Sequence, residues 1–400
     1  MSQETAAAPD PVVLEAFTRL AGGHAWDERI AAVKRAATTG PRLGRALLQR
    51  HAIELTIDRL RQRINRVPTT AERCVAGLAA EAVALADELP GRGPDRLRAG
   101  LRHGLAEAAT LVPMFHLLRT GRIQRTRGFA VEHAGFIDAA PFDLLIHREG
   151  IEAEVACDVV SAEDGRGVHR GAWFDLADRV DPDLQTWLAA HPGRYLLKVT
   201  LPQGLQVDDR EALAALHARI CAMLAERRRA DHDAAVVLRL DPLLLAAAQA
   251  DELGLVSSLR REFGPEAHLS VTSAGTAVFV MAARAGREDE VAAAVRRRLG
   301  AVAPARLTGT RPGILAMFIE DTDRAEWRGL RERLQLEGEA RQFLTDPAAR
   351  PVVAVTCASR FELFGLAEPD GVSDGELRFR NPAHPAARAA ALAPAVISSM

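Results

Sequence analysis

The sequence predicts a mixed α/β protein, in which a helical N-terminal region precedes a mixed sheet flanked by helices. Between residues 12 and 118, apolar side chains recur three and four positions apart, which is the period of an amphipathic helix. From Gly128 onward, short apolar runs typical of strands are interleaved with helical segments. The chain has 400 residues, more than one hydrophobic core usually serves, so we expect two or three domains.

Changes in composition place the expected domain boundaries. Residues 1–11 are polar and contain prolines, and we expect them to be disordered. The rest divides into a helical region, a sheet-containing core, a mixed α/β part and a loosely held tail rich in Pro, Ala and Gly, which span residues 12–118, 119–232, 233–365 and 366–400.

Two signals divide the helical region. Thr69 followed by Glu72 predicts a helix start, because a threonine cap and a carboxylate three residues later satisfy free N–H groups. The Pro- and Gly-rich residues 90–94 predict the end of that helix. After them we expect one helix that continues to about Leu118 and kinks at Pro113.

Residues 142–159 alternate between apolar and polar side chains and predict a β-hairpin. A two-residue turn at 149–150 suits the sequence, because the glycine there can adopt a positive φ. With this turn, Asp143 lies opposite Ala156. One face of the hairpin is then apolar and the other carries several carboxylates.

The acidic face of this hairpin, with Asp143, Glu152, Glu154 and Asp158, has two interpretations. An antiparallel pair commonly turns one polar face to solvent. Alternatively, carboxylates on neighbouring strands repel each other unless a cation lies between them, and their oxygens suit Mg²⁺. The alternation alone is compatible with both.

Beyond the hairpin we expect a helix, a strand and a second helix, over residues 168–190, 193–202 and 209–229. The first six elements of residues 234–360 follow the order β-α-β-β-α-β, which is ferredoxin-like. Alternatively, the apolar strands at 313–319 and 351–357 extend the first sheet through helical crossovers, since such strands are typically buried on both faces.

Composition and motifs argue against several functional classes. Hydrophobic residues make up 48% and charged residues 26%, and the formal charge is −2, so the chain lacks the basic bias of many nucleic-acid-binding proteins. The four cysteines form no CxxC pair, which argues against a cysteine-held zinc or a disulfide framework. The sequence shows neither a signal-peptide pattern nor an apolar run of roughly 18 residues, so we expect a cytoplasmic protein without membrane contact. It also lacks the glycine motifs of nucleotide sites.

A cluster of arginines follows the helical region, at Arg119, Arg122, Arg125 and Arg127. A solvated linker is one explanation. A phosphate-contacting patch is the other, because a guanidinium group can give phosphate two parallel hydrogen bonds.

The head of the second strand, Pro141-Phe142-Asp143, is followed by the segment EAEVACDVVSAEDGRGVHR at residues 152–170. Together they resemble the PD-(D/E)XK nuclease superfamily, whose bacterial members include the form E-V-E-C-K-x-x-S-x-D-x-G-R-x-I-H-R. The matching positions are Val155, Cys157, Ser161, Asp164, Gly165, Arg166, His169 and Arg170. The resemblance implies a restriction-endonuclease-like mixed sheet, on which Asp, Glu and Lys gather about Mg²⁺ to hydrolyse phosphodiesters.

Two of the three catalytic positions implied by the resemblance are changed. The metal-binding Asp falls on Asp143, but the Glu falls on Ala156 and the Lys on Asp158. Alanine cannot hold the metal that activates water, and Asp reverses the charge that stabilises the developing phosphorane. Glu154 offers a relocated carboxylate, so Asp143 and Glu154 are the candidate metal ligands and Asp158 a third candidate catalytic residue.

Three functions are compatible with these residues. The first is a nuclease-like protein with a lost or weakened hydrolytic site, which acts as a nucleic-acid-binding or assembly module. Its candidate contacts to DNA or RNA are Arg119, Arg122, Arg125, Arg127, Arg166, His169 and Arg170. The second is an active DNA or RNA nuclease with relocated carboxylates, which requires Mg²⁺; the other two functions require no cofactor. The third is a structural or protein-interaction module that binds a protein partner or a second copy of itself.

Overall fold

The computed structural model describes residues 10–62, 67–106, 109–243, 259, 263–264, 267–365 and 376–398. The α-helices in these residues are α1 (Pro11–Ala21), α2 (Gly23–Ala36), α3 (Pro41–Arg50), α4 (Ala52–Arg61), α5 (Thr70–Glu88), α6 (Gly93–Gly104), α7 (Val112–Thr126), α8 (Ala134–Ile137), α9 (Arg170–Ala190), α10 (Arg210–Ala225), α11 (Val291–Arg306), α12 (Arg324–Glu332), α13 (Gln335–Phe343), α14 (Arg360–Leu363) and α15 (Ala393–Val396). The strands are β1 (Ala130–Glu132), β2 (Leu144–Arg148), β3 (Ile151–Ser161), β4 (Arg194–Leu201), β5 (Ala230–His232), β6 (Val237–Pro242), β7 (His268–Ala274), β8 (Ala277–Ala285), β9 (Gly313–Glu320), β10 (Val352–Ser359) and β11 (Leu377–Arg380).

The described residues form a mixed α/β protein with two mixed sheets, so the predicted fold class is confirmed. By contacts, the chain divides into two compact units. Unit 1 comprises residues 1–34, 48–162 and 292–400, and unit 2 comprises residues 35–47 and 163–291. These limits differ from the boundaries predicted at 118, 232 and 365, because strands that are distant in sequence pair in one sheet.

The helical region of unit 1 follows the predicted start signal but not the predicted kink. The Thr69 hydroxyl accepts a hydrogen bond from the Glu72 N–H, and the Glu72 carboxylate accepts one from the Thr69 N–H, as expected for the start of α5. The expectation of one helix kinked at Pro113 is wrong, because α6 and α7 are separate helices. Pro113 lies in the first turn of α7, where a residue without an N–H group costs no hydrogen bond.

The sheet of unit 1 has the strand order β1-β2-β3-β9-β10-β11. β1, β2 and β3 are antiparallel neighbours, β3, β9 and β10 run parallel, and β11 is antiparallel to β10. β9 and β10 therefore extend the first sheet, as one of the two alternatives predicted. The ferredoxin-like alternative is wrong, because β6, β7 and β8 belong to the other sheet. β10 is buried along its whole length, as expected for a central strand covered on both faces.

The β2–β3 hairpin has the predicted register. Leu144 pairs with Val155 and Arg148 with Ile151. The two turn residues, Glu149 and Gly150, have φ of 51° and 80°. Positive φ at both positions is the geometry of a type I′ turn, whose twist matches that of the strands.

The sheet of unit 2 has the strand order β5-β6-β4-β8-β7. β4 runs parallel to β8, and the other neighbouring pairs are antiparallel. The long helices α9 and α10 bury apolar side chains in a core shared with this sheet, which includes Trp173, Leu184, Ile220 and Phe279.

The predicted tail has two parts. Residues 366–375 lie outside the described residues, as do residues 1–9 at the other end of the chain. The described residues 376–398 are packed rather than loosely held, because β11 pairs with β10 and Leu392 and Val396 are fully buried. The prediction of a loosely held tail followed from its content of Ala and Pro, and it gave too little weight to these few large apolar residues.

Candidate functional site

The acidic face of the β2–β3 hairpin lies in unit 1. Asp143 immediately precedes β2, and its N–H donates to the Val155 carbonyl at 3.0 Å. Its carboxylate accepts a hydrogen bond of 2.7 Å from the Cys157 N–H. Continued by one residue, the ladder places Asp143 opposite Ala156, which is the alignment that the sequence predicts.

The second oxygen of Asp143 is paired with an arginine from the C-terminal end of α11. The Arg306 Nη2 donates to Oδ1 at 2.8 Å, and the Arg306 Nε donates to the Pro141 carbonyl. Burial raises the pKa of Asp143, while Arg306 and the Cys157 N–H act in the opposite direction. This carboxylate is thus held by a guanidinium group and a backbone N–H.

Glu154 is fully buried, although the alternation placed it on the polar face. Its two oxygens accept hydrogen bonds from the Thr308 N–H, at 2.9 Å, and from the Thr308 hydroxyl. The Arg311 guanidinium lies 3.7 Å away. A buried carboxylate is tolerated only when it is hydrogen-bonded or paired, and here the link between α11 and β9 supplies both.

The two remaining carboxylates of this face also have arginine partners. Arg298 contacts both oxygens of Asp158, with Nη2 2.9 Å from Oδ1. The Arg311 Nε donates to Glu152 at 2.7 Å. Arginines of the chain itself therefore neutralise carboxylates of the acidic face, as a bound cation would.

The carboxylates predicted as a catalytic set do not gather at one point. In the described part of the chain, no three acidic, histidine or cysteine ligand atoms meet around Asp143, Glu154 and Asp158. Glu154 and Asp158 are four residues apart on one strand, which separates their Cα atoms by roughly 13 Å. Ala156, at the expected Glu position, is itself fully buried.

The arginines predicted as a phosphate patch separate into two pairs. The side chains of Arg119 and Arg127 are largely buried and share the Glu376 carboxylate, at 3.4 and 2.8 Å. Arg122 and Arg125 are about half exposed and share Glu81. This arrangement is neither a solvated linker nor a row of free guanidinium groups, because each pair has its own carboxylate.

The motif-like residues after β3 belong to unit 2. Arg166 is buried and pairs with Glu163, and the same carboxylate accepts a hydrogen bond of 2.9 Å from the Arg170 N–H. His169 is the residue before α9, and its N–H donates to the Leu205 carbonyl at 2.8 Å. These contacts hold the start of α9 in place.

Gly165, which also matches the nuclease-like motif, is required by close packing. Its carbonyl accepts a hydrogen bond from the Glu290 N–H at 2.6 Å. A Cβ at this position would lie 2.5 Å from the backbone of Val291, so no other residue fits without a shift. The match at Gly165 thus has a structural explanation within unit 2.

Sequence reasoning missed a cavity beside the half-exposed arginines. Its volume is about 350 Å³, and its polar lining comes from Glu81, Glu88, Arg122, Arg125 and His133. Burial, and secondarily Arg125, lowers the pKa of His133 to about 4, so this imidazole is neutral at pH 7. The five residues come from α5, from α7 and from the position before α8, and no spacing in the sequence indicates that these three segments meet.

Sequence reasoning also did not single out Asp183. In unit 2 its carboxylate lies beside His217 and Cys221, with the three side-chain ligand atoms within 4.8 Å of one another. A signal did exist, because His217 and Cys221 are four residues apart and therefore share one face of a helix.

Comparison of the chain with family models, with curated proteins and with solved structures finds no match. Among the described residues, no helix combines the length and the apolar composition needed to cross a membrane.

Proposed function

We propose that the chain is a nuclease-like protein that has lost metal-dependent hydrolysis and acts as a binding or assembly module. The observation that supports this proposal most strongly is the pairing of the acidic face with the chain's own donors. Asp143, Asp158 and Glu152 pair with arginines, and Glu154 is bonded to Thr308.

The chemistry of hydrolysis explains why this pairing matters. A metal that activates water needs carboxylate oxygens that are free to coordinate it, and a phosphorane needs a positive charge directed at it. Asp143 offers its oxygens to Arg306 and to a backbone N–H. Arg298 pairs its charge with both oxygens of Asp158. Opening these pairs would cost the favourable interactions of buried or half-buried groups.

A cleavage assay of the full chain tests the proposal. Labelled single- and double-stranded DNA and RNA are incubated with Mg²⁺ or Mn²⁺ and with wild type, Asp143→Asn or Glu154→Gln. Asp175→Asn is the matched control, since Asp175 is an arginine-paired carboxylate of unit 2. We expect no metal-dependent cleavage by any of these proteins, and an equal background in all of them. Cleavage by wild type and the control that both other variants lose would instead establish the active nuclease with relocated carboxylates.

A second candidate function is binding of a phosphate backbone at Arg122 and Arg125. The observation that favours it is the charge at this surface: two half-exposed guanidinium groups share the single carboxylate of Glu81. They line a cavity of about 350 Å³. Arginine binds phosphate through paired hydrogen bonds, so a phosphate could take the place of Glu81.

Fluorescence anisotropy with a labelled oligonucleotide tests this second candidate. We expect Arg122→Gln with Arg125→Gln to weaken binding and to reduce its dependence on salt, because fewer counterions are released. Arg179→Gln is the control, since Arg179 is an arginine of similar exposure paired with Asp175. Equal binding by the double variant and the control would exclude this surface, and no binding by wild type at low salt would favour the protein-interaction module.

A further inference from the structure

Three side chains of different ligand type meet on the surface of unit 2. The Asp183 Oδ2 lies 2.8 Å from the His217 Nε2 and 3.3 Å from the Cys221 Sγ. Asp183 belongs to α9, and the other two residues belong to α10. Carboxylate, imidazole and thiolate are the three ligand types that zinc sites use.

The packing of α9 against α10 fixes this meeting point. Leu184 and Ile220 are fully buried in the core that the two helices share. The Trp187 Nε1, one turn beyond Asp183, donates to the Leu224 carbonyl of α10 at 3.0 Å. The ligand groups therefore lie on two elements whose relative position is set by a core and by a hydrogen bond.

The surroundings of Asp183 differ from those of the acidic face in unit 1. Among the described residues, its side-chain partners are His217 and Cys221, whereas Asp143 and Asp158 are held by arginines. About half of the Asp183 side chain and a third of the His217 side chain are exposed, so an ion can reach them. The position thus combines metal-type ligands with access from solvent.

We propose that Asp183, His217 and Cys221 bind a zinc-class divalent ion through Oδ2, Nε2 and Sγ, with a fourth position open to water or an outside ligand. Ideal zinc–ligand distances in a tetrahedron place a carboxylate oxygen roughly 3.3–3.6 Å from a nitrogen or sulfur ligand. The observed separations of 2.8 and 3.3 Å from the Asp183 Oδ2 lie within about half an ångström of these values, and all three ligand atoms lie within 4.8 Å of one another.

Thiolate and imidazole ligands select zinc-class ions over Mg²⁺ and Ca²⁺. Binding displaces the proton of the Cys221 thiol to solvent, and the histidine binds through the lone pair of Nε2 with its proton on Nδ1. Because the ligands bind the metal in their deprotonated forms, protons compete with the ion and the affinity falls as the pH is lowered.

Cobalt(II) is the probe for this site, because a thiolate bound to Co²⁺ gives a charge-transfer absorption in the near ultraviolet. The full chain, purified with a chelator and a thiol-free reductant, is titrated with Co²⁺ and then with Zn²⁺. We expect the band to appear with wild type and to be abolished by Zn²⁺. Cys221→Ser should remove it, and His217→Gln or Asp183→Asn should weaken Co²⁺ binding roughly tenfold or more.

Cys74→Ser is the matched control, since Cys74 is a free, partly buried cysteine of unit 1, and it should keep the band. Zn²⁺ should also slow alkylation of Cys221 in the wild-type chain, as mapped by peptide mass. The absence of a band in wild type, a band unchanged by Cys221→Ser, or alkylation unaffected by Zn²⁺ would overturn the proposal.

Discussion

Buried ionisable side chains of unit 1 are stabilised by specific partners rather than by solvent. Glu154 depends on Thr308 for two hydrogen bonds. The buried His116 donates from Nε2 to the Ala316 carbonyl of β9 at 2.9 Å, and burial lowers the pKa of this imidazole to about 4. The lowered pKa of His116 makes stability depend on pH, because the folded and unfolded chains bind protons differently at this imidazole.

We predict that His116 makes the protein less stable as the pH falls. Its pKa is about 6.5 unfolded and about 4 folded, so between these values the unfolded chain binds more protons. The contribution of His116 to the free energy of unfolding is complete above about pH 6.5 and is lost as the pH falls towards 4. Between pH 7 and pH 5, protonation of this one group should lower the free energy of unfolding by roughly 2 kcal/mol. The His116→Gln variant should not show this decrease.

Urea unfolding at the two pH values measures this effect. His24→Gln is the control, because His24 is almost fully exposed and pairs with Glu28 on the helix surface. The control should show the wild-type difference between pH 7 and pH 5. The same difference in His116→Gln would show that this imidazole titrates as freely when folded as when unfolded.

The link between α11 and β9 supplies hydrogen-bond donors and positive charge to the carboxylates of β3. It supplies Thr308 to Glu154, and Arg311 to both Glu152 and Glu154. Backbone contacts add to these, since the Glu154 N–H donates to the Pro312 carbonyl at 2.9 Å. These contacts join the residues before β9 to the first half of β3, in addition to the pairing of the two strands.

We predict that Thr308→Val destabilises the chain by roughly 1–3 kcal/mol, because it removes a hydroxyl donor from a buried charge while keeping the shape of the side chain. Thr310→Val is the matched control, since its exposed hydroxyl bonds to Thr308 rather than to Glu154. Chemical unfolding of both variants at pH 7 gives the comparison. An equal loss in the two variants would contradict the role assigned to Thr308.

How far the sequence predicts the molecule depends on the distance between the interacting residues. The register of the β2–β3 hairpin and the cap at Thr69 are local, and both follow from residues a few positions apart. The pairing of β3 with β9 and the burial of Glu154 depend on segments that enter the sheet only after unit 2. Alternation shows which residues share a face, but it does not show what covers that face.

At the scale of the whole molecule, unit 2 accounts for the difference between predicted and observed domains. Residues 163–291 lie in sequence between β3 and α11, so the sheet of unit 1 is assembled from chain segments on both sides of unit 2. The motif-like residues Gly165, Arg166, His169 and Arg170 fall in unit 2, whereas Asp143 falls in unit 1. A continuous motif in the sequence is therefore divided between two units.

The most direct test of the central claim is a comparison of the metal-dependent cleavage rates of wild type and Asp143→Asn, measured with excess protein on DNA and RNA in Mg²⁺ or Mn²⁺. Pairing of the acidic face with Arg298, Arg306 and Arg311 predicts that neither protein cleaves above the metal-free background. Cleavage by wild type that disappears in Asp143→Asn and persists in Asp175→Asn would contradict the claim.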